Sequence, residues 1–160
     1  MVAVRADVQV ACNPEGVPST ESIQDWVEAA IAAAGDSDAA TVEVAVRVVD
    51  ATVMQALNRR FRHQDKPTNV LSFEAGNIHG LPDDAPRMLG DVIVCAPVVA
   101  AEAAAQGKQL QDHWAHMLVH GALHLLGFDH QTAAEAAKME ALEARILAAR
   151  NVMDPYASRD

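Results

Sequence analysis

The sequence predicts an α+β fold in which a mixed sheet of about four strands packs with about five helices. The first observation is that two N-terminal segments alternate apolar and polar residues, as half-buried strands do, with a helical spacing between them. The second is that two shorter apolar runs follow in the middle of the chain. The third is that the remainder reads as helices in succession, which disfavours a doubly wound sheet. We expect the functional site in this C-terminal helical half.

The first two strands and the helix between them are assigned from apolar periodicity. Residues 2–10 carry valine or alanine at every even position, which predicts a strand. Apolar residues recur at helical spacing over 23–31, and Gly35 is a plausible stop. Residues 42–48 alternate again and give the clearest strand of the chain. We expect these two strands to be parallel, because a right-handed helical crossover joins them.

The middle of the chain holds one helix and two shorter strands. Asp50 can cap a helix, since its side-chain oxygen accepts from a free amide of the first turn. The apolar stripe of that helix consists of Met54, Leu57 and Phe61. Residues 63–69 read as a loop and 70–73 as a short strand. Residues 75–88 contain several glycines and prolines and form the longest loop-like stretch, and 89–95 read as an apolar, central strand.

Three helices complete the predicted fold. Pro97 suits the first turn of one helix, where its missing N–H has no intrahelical partner, and Gly107 ends it. A second helix runs from about residue 110 to 126 and stops at Gly127. A third, rich in Ala, Glu and Leu, covers about 132–149.

Composition limits the class of protein. A chain of 160 residues with 51% hydrophobic residues fits one globular domain, residues 1–160, and is not a disordered chain. Cys12 and Cys95 are too few for a disulfide scaffold, and both are expected to be buried thiols. The sequence shows no signal-peptide pattern and no apolar run of membrane-spanning length. We therefore expect a cytoplasmic protein with no membrane partner.

The charge is strongly acidic overall but not everywhere. A net charge of −10 argues against binding nucleic acid by bulk attraction. Four cations nevertheless lie close together, with only Asp65 opposing them. They are Arg59, Arg60, Arg62 and Lys66. This cluster is either a local basic patch on an acidic body or a solvated helix end.

The candidate chemistry lies in a histidine motif near the end of the second C-terminal helix. His120 and His124 are four residues apart, so both rings leave one face of the helix. Gly127 can adopt a positive φ and turn the chain back, which lets His130 supply a third nitrogen. Three imidazoles suit one zinc ion with an open fourth position, although nickel, copper or iron also accept such ligands.

Two further histidines on the same helix are assigned differently. His116 shares the face of His120 and His124, but His116 and His124 are about 12 Å apart along the helix axis, too far for one ion to bind all three. His116 is therefore a candidate proton carrier, a group that supports a ligand or contacts the substrate, or a neighbour without a role. His113 is expected at the surface.

The spacing H-x3-H-x5-H invites comparison with zinc metallopeptidases. Gly127 falls at the corresponding glycine, but position 121 is Gly where the peptidases carry the glutamate that acts as general base. The missing glutamate argues against a peptidase.

Several motifs together resemble the YbeY family of bacterial endoribonucleases and rRNA maturation factors, over about residues 40–156. The shared motifs are Leu57-Asn58, Phe61-Arg62, 65–73, Leu89-Gly90-Asp91, 113–117, the histidine motif, Met139-Glu140 and Asp154-Pro155-Tyr156. Many members carry Asp where this chain has Asn69, a change that leaves a turn hydrogen bond possible.

The resemblance implies a zinc site at His120, His124 and His130 and a functional arginine at Arg62. It also implies single-strand-specific cleavage in late 16S rRNA 3′-end maturation and a part in ribosome quality control. The partners that it implies are the small ribosomal subunit with its proteins and the Era GTPase.

The residues allow a mechanism in which Arg62 offers a permanently charged fork to phosphate oxygens. A surface salt bridge to Asp65 is the alternative. Arg59, Arg60 and Lys66 would attract the RNA backbone or do nothing. Asp129 would orient a ligand or form a turn. All three phenylalanines are expected in the core, which leaves few platforms for base stacking and predicts phosphate-dominated, salt-dependent binding.

Two other functions compete with the endoribonuclease. A ribosome-assembly factor with a structural metal would use its acidic surface against basic ribosomal proteins. A metallohydrolase of a peptide or a small phosphoester is the third, and the missing glutamate argues against its peptidase form.

Overall fold

The structure is a computed structural model that describes residues 3–35, 41–75 and 85–157. Its strands are β1 (Ala3–Val10), β2 (Thr41–Val49), β3 (Val70–Glu74) and β4 (Arg87–Cys95). Its helices are α1 (Thr20–Ala34), α2 (Ala51–Arg62), α3 (Ala96–Gln106), α4 (Leu110–Leu125) and α5 (Ala133–Ala148). The predicted element order and α+β class are confirmed. Val2 and residues 76–84 of the predicted loop lie outside the described residues.

The four strands form one mixed sheet in the order β1-β2-β4-β3. β1 pairs with β2 in parallel, β2 pairs with β4 in parallel, and β3 pairs with β4 antiparallel. The predictions of a parallel first pair and a central last strand are therefore correct. β3 and β1 are the edges of this sheet.

Apolar residues on the two faces of the sheet form two separate clusters. The larger one joins the inward valines of β2 to α1, α4 and α5, with Trp114 and Leu118 of α4 almost completely buried. The smaller one lies beneath α2 and contains Met54, Leu71 and Ile93. Because helices cover both faces, the second half of β4, residues 92–95, is continuous in buried apolar side chains, as a doubly buried strand should be.

Gly121 sets how closely α4 approaches the sheet. A Cβ atom at this position would lie 2.8 Å from Cγ1 of Val92 and 3.1 Å from Cγ2 of Val70. The Gly121 carbonyl also accepts a hydrogen bond of 2.8 Å from the Ser72 hydroxyl. The glycine thus allows the histidine helix to sit directly on β3 and β4. Position 121, where the zinc metallopeptidases carry their glutamate, therefore faces the sheet in this chain.

Three expectations about burial are wrong. Cys12 is only partly buried, whereas Cys95 is buried as predicted. Phe61 is 52% exposed, because it lies on the last turn of α2 beside the edge strand β3, beyond which no described element covers it. His113 is 3% exposed rather than on the surface, and its Nε2 lies 3.0 Å from a carboxylate oxygen of Glu102 on α3. That contact satisfies one nitrogen of the ring, whereas the buried Nδ1 has no hydrogen-bond partner among the described residues. In the part of the chain that is described, no helix is long and apolar enough to cross a membrane.

Candidate metal centre and cleft

The three predicted ligands meet at the floor of an open cleft of about 870 Å³. α4 and the turn after it provide one wall, and the end of α2 with β3 provides the other. One ring nitrogen each of His120, His124 and His130 lies within 4.8 Å of the other two. The Nε2 atoms of His120 and His124 are 3.0 Å apart. The predicted ligand set is therefore assembled in three dimensions.

The turn that carries His130 back to α4 depends on Gly127. Its φ of +94° lies in the region that favours glycine. The Gly127 amide donates to the carbonyl of His124 at 3.0 Å, and the Phe128 amide donates to Leu123 at 3.2 Å. These two bonds close the end of the helix, and the chain then reverses across the face that carries His120.

Glu143 of α5 lies behind the histidines and is completely buried. Its carboxylate is 3.0 Å from Nδ1 of His120 and 2.8 Å from Nε2 of His116, and it accepts a hydrogen bond of 2.8 Å from the Tyr156 hydroxyl. Burial alone would raise the pKa of Glu143, but the hydrogen bonds from His116 and His120 outweigh it and bring the pKa to about 2. Burial and the adjacent Glu143 charge raise the pKa of Tyr156.

The charge on Glu143 determines which nitrogen of His120 is free. An ionised carboxylate only accepts hydrogen bonds, so Nδ1 of His120 must donate to it. The proton is then on Nδ1, and Nε2 keeps a lone pair directed towards His124. This is the carboxylate–histidine arrangement that commonly orients and strengthens metal ligands.

The donor set fits a divalent transition metal. Two nitrogens bound at about 2.0–2.1 Å to a tetrahedral ion are separated by about 3.3 Å, close to the spacing of the two Nε2 atoms. Burial, followed by the neighbouring His120 and His130, lowers the pKa of His124, which favours the neutral ring that a metal requires. When neither Nε2 atom carries a proton, the two lone pairs that face each other at 3.0 Å would be satisfied by a shared cation.

A second cluster of possible ligands is formed by His116, His120 and Glu143. These three groups bind each other through hydrogen bonds, and Nε2 of His116 also lies 3.1 Å from the Tyr156 hydroxyl. We interpret the cluster as the support of the histidine site. His116 is 8% exposed and does not line the cleft. Of its predicted roles, the placement favours support of a ligand over direct contact with a substrate.

Arg62 lies on the opposite wall of the cleft, at the end of α2. It is exposed and makes no hydrogen bond or ion pair with any described residue. The alternative salt bridge to Asp65 is not formed; the Asp65 carboxylate accepts instead from Gln55 at 3.1 Å. The guanidinium is therefore available to an anion in the cleft.

The remaining predicted residues lie around the site. Asp129 lines the cleft, and its carboxylate accepts from the backbone amide of His130 at 2.7 Å, so it shapes the turn that presents this ligand. Arg59 and Lys66 are exposed near Arg62, outside the cleft lining. Their predicted attraction for RNA stays a prediction.

Sequence reasoning missed Glu143 and Tyr156. One signal for Glu143 was available: it lies at helical spacing from the buried Met139, Ile146 and Leu147, where an apolar residue is expected. A charged residue at such a position needs a buried partner. The packing of α5 against α4 determines which histidine Glu143 contacts. Local periodicity carries no information about that packing.

Comparisons with known proteins agree with this geometry. A family model described as "Endoribonuclease YbeY" matches residues 9–151. A relative named endoribonuclease YbeY from Halorhodospira halophila is 56% identical over 142 residues, covering 89% of this chain and 90% of that protein. A relative of the same name from Alkalilimnicola ehrlichii is 51% identical, covering 88% of this chain and 83% of that protein. Another, from Psychromonas ingrahamii, is 44% identical and covers 95% of each chain. The solution structure of TM1509 from Thermotoga maritima shares the fold at 21% identity, with a TM-score of 0.54 over 97% of this chain and 99% of that one.

Proposed function

The chain belongs to the YbeY endoribonuclease family, and we propose that it is a metal-dependent endoribonuclease that cleaves single-stranded RNA. One observation carries the proposal. Three histidine nitrogens converge at the floor of a cleft, and an unpaired arginine stands on its opposite wall. A divalent cation and a guanidinium placed in this way suit a phosphodiester whose negative charge increases in the transition state.

We propose that His120, His124 and His130 hold one zinc ion. Bound there, zinc would supply a Lewis acid and promote ionisation of the attacking hydroxyl. The chain fixes the donors: Glu143 holds the proton of His120 on Nδ1, and Asp129 shapes the turn before His130. Other divalent transition metals also accept three imidazoles.

We assign phosphate binding to Arg62. Its planar fork can donate two hydrogen bonds to one phosphate group, which orients the scissile bond as well as attracting it. Arg59 and Lys66 would bind the phosphates of neighbouring nucleotides. His116 would act through Glu143 and His120, since it is buried behind them.

The biological role that we propose is maturation of the 16S rRNA 3′ end in the cytoplasm, together with ribosome quality control. Residues 1–160 would act as one hydrolase domain. The proposed partners are the small ribosomal subunit with its proteins, and the Era GTPase. The acidic body suits basic ribosomal proteins, while the cleft meets the RNA.

The decisive experiment is cleavage of a single-stranded fragment of the rRNA 3′ end, with zinc quantified in each preparation. His124→Ala should lose zinc and cleavage together. Arg62→Ala should keep zinc and lose cleavage, whereas Arg5→Ala, which removes the same charge from the exposed edge strand β1, should retain both.

Each result bears on the assignment. Equal cleavage by wild type and His124→Ala would mean that the activity belongs to a contaminating nuclease. Loss of zinc in Arg62→Ala would show that Arg62 supports the fold of the site rather than binding phosphate. Rescue of ribosome maturation by a variant that keeps zinc but does not cleave would favour the assembly-factor function.

A further inference from the structure

Two aromatic rings extend the wall of the cleft beside Arg62. Phe73 of β3 lines the cleft, and its ring centroid is 5.1 Å from that of Phe61, with 63° between the ring planes. Phe61 is 52% exposed although it touches Phe73. The pair therefore leads from the interior of the cleft out to solvent.

The charges around this pair are those of a nucleic-acid contact. The Arg60 guanidinium carbon lies 5.2 Å from the centre of the Phe61 ring, and Arg62 follows at the next position on the cleft wall. Arg59 is also exposed on this last helical turn. An exposed aromatic ring flanked by arginines offers stacking to a base and positive charge to the adjoining phosphates.

We propose that the exposed ring of Phe61, held edge-to-face by Phe73, is a stacking platform for one unpaired nucleobase of the RNA, adjacent to the nucleotide whose phosphate meets Arg62. The proposal rests on the proposed endoribonuclease function and deepens it. The bases of a duplex already stack on their neighbours on both faces, so a platform of this kind binds a base only where the strand is single. It also tolerates sequence variation, because every base has a π face.

This site would supply part of the preference for single strands. A platform that lies outside the metal centre contributes to RNA binding without touching the histidines. Its loss should therefore weaken binding while zinc content stays unchanged. That separation makes the platform testable independently of catalysis.

The test is equilibrium binding of a fluorescent, single-stranded 2′-O-methyl oligoribonucleotide to zinc-loaded protein, with its integrity checked on a gel. Loss of a base stack corresponds to a decrease in affinity of about 5- to 150-fold, which we expect for Phe61→Ala and Phe61→Leu. Phe61→Tyr keeps the π face and should bind like wild type. Met153→Ala, which removes another exposed apolar side chain, is the matched control. Thermal melts establish that each variant is folded.

An abasic nucleotide moved along the oligonucleotide locates the stacked base. The affinity of wild type should decrease when the abasic nucleotide occupies the position that stacks on the platform. The affinity of Phe61→Ala should decrease no more at that position than at the other positions of the oligonucleotide. If wild type binds RNA and Phe61→Ala binds equally well, or if both lose affinity at the same abasic positions, the platform is refuted. If zinc-loaded wild type binds no RNA, the proposed function fails as well, and the two failures are distinguishable.

Discussion

Replacing the buried carboxylate behind the metal centre tests how the site is supported. Glu143→Gln keeps the size and shape of the side chain but removes the charge that accepts hydrogen bonds from His120, His116 and Tyr156. A glutamine has only one accepting atom, so its amide must face at least one of these donors. We therefore expect His120 to lose its fixed orientation and its proton on Nδ1.

The size of the effect follows from this change in the bond to His120. A hydrogen bond to a charged group stabilises by about 1.5–3 kcal/mol and a neutral one by about 0.5–1.5 kcal/mol. Losing the difference at one ligand amounts to about 1–2 kcal/mol, or a decrease in zinc affinity of about tenfold. This agrees with the lower end of the roughly 10- to 100-fold effects known for residues that support metal ligands.

The assay is competition for zinc against a chromogenic chelator at neutral pH, supported by nitrogen-15 shifts that report the tautomer of His120. Tyr156→Phe should weaken zinc binding less than Glu143→Gln, because it leaves the carboxylate in contact with His120. Glu135→Gln removes an exposed charge from the first turn of the same helix and is the control. Folded Glu143→Gln protein with wild-type zinc affinity and an unchanged tautomer would refute the reasoning.

Further predictions concern packing, pH, salt and metal. Gly121→Ala should destabilise the fold by about 1 kcal/mol in urea unfolding, since overpacking against Val92 outweighs the gain in helix propensity, and unchanged stability would contradict the close approach. Burial lowers the pKa of His113 despite the opposing effect of Glu102, so the unfolded chain binds more protons below about pH 6.5. The contribution of neutral His113 to folding stability is therefore present above that pH and is lost as the pH falls. Metal-free wild type should lose more stability between pH 7.5 and 5.5 than His113→Gln does, and equal losses in the two proteins would contradict this prediction. RNA cleavage should decrease steeply between low and moderate salt, and a flat profile would contradict phosphate-dominated binding. Chelation of the metal should weaken binding of a non-cleavable RNA, and equal affinity with and without metal would disconnect the cleft from the substrate.

The fold could be predicted because local patterns determine most of it. Alternation over 42–48 marks a strand with one face against α1 and α4, and Asp50 accepts from the Val53 amide at 2.9 Å as an N-cap should. The histidine site was also predictable, because the i, i+4 spacing and the positive φ of Gly127 are local properties. The order of the strands and the antiparallel β3 depend on tertiary contacts instead.

The errors arise where a side chain's environment is decided by an element distant in the sequence. Phe61 belongs to an apolar stripe, but its turn of α2 meets the edge strand β3 through Phe73, so the last turn of that stripe remains uncovered. His113 is a polar residue that is buried because Glu102 of α3 reaches its ring. Glu143 looks like a surface charge until α5 packs against α4. Periodicity reports which face a residue is on, but not what covers that face.

The acidic net charge is compatible with an RNA substrate because electrostatic attraction acts over about 8 Å in physiological salt. Within the cleft, Arg62 opposes the carboxylates of Glu74 and Asp129, so neutral histidines leave the lining slightly negative. A divalent cation bound at those histidines, as we propose, would reverse the sign, and the neighbouring Arg59 and Arg60 would extend the positive region along the end of α2. The proposed attraction for phosphate would then depend on the metal as well as on the arginines. By linkage, RNA in the cleft would strengthen binding of the metal by the same factor.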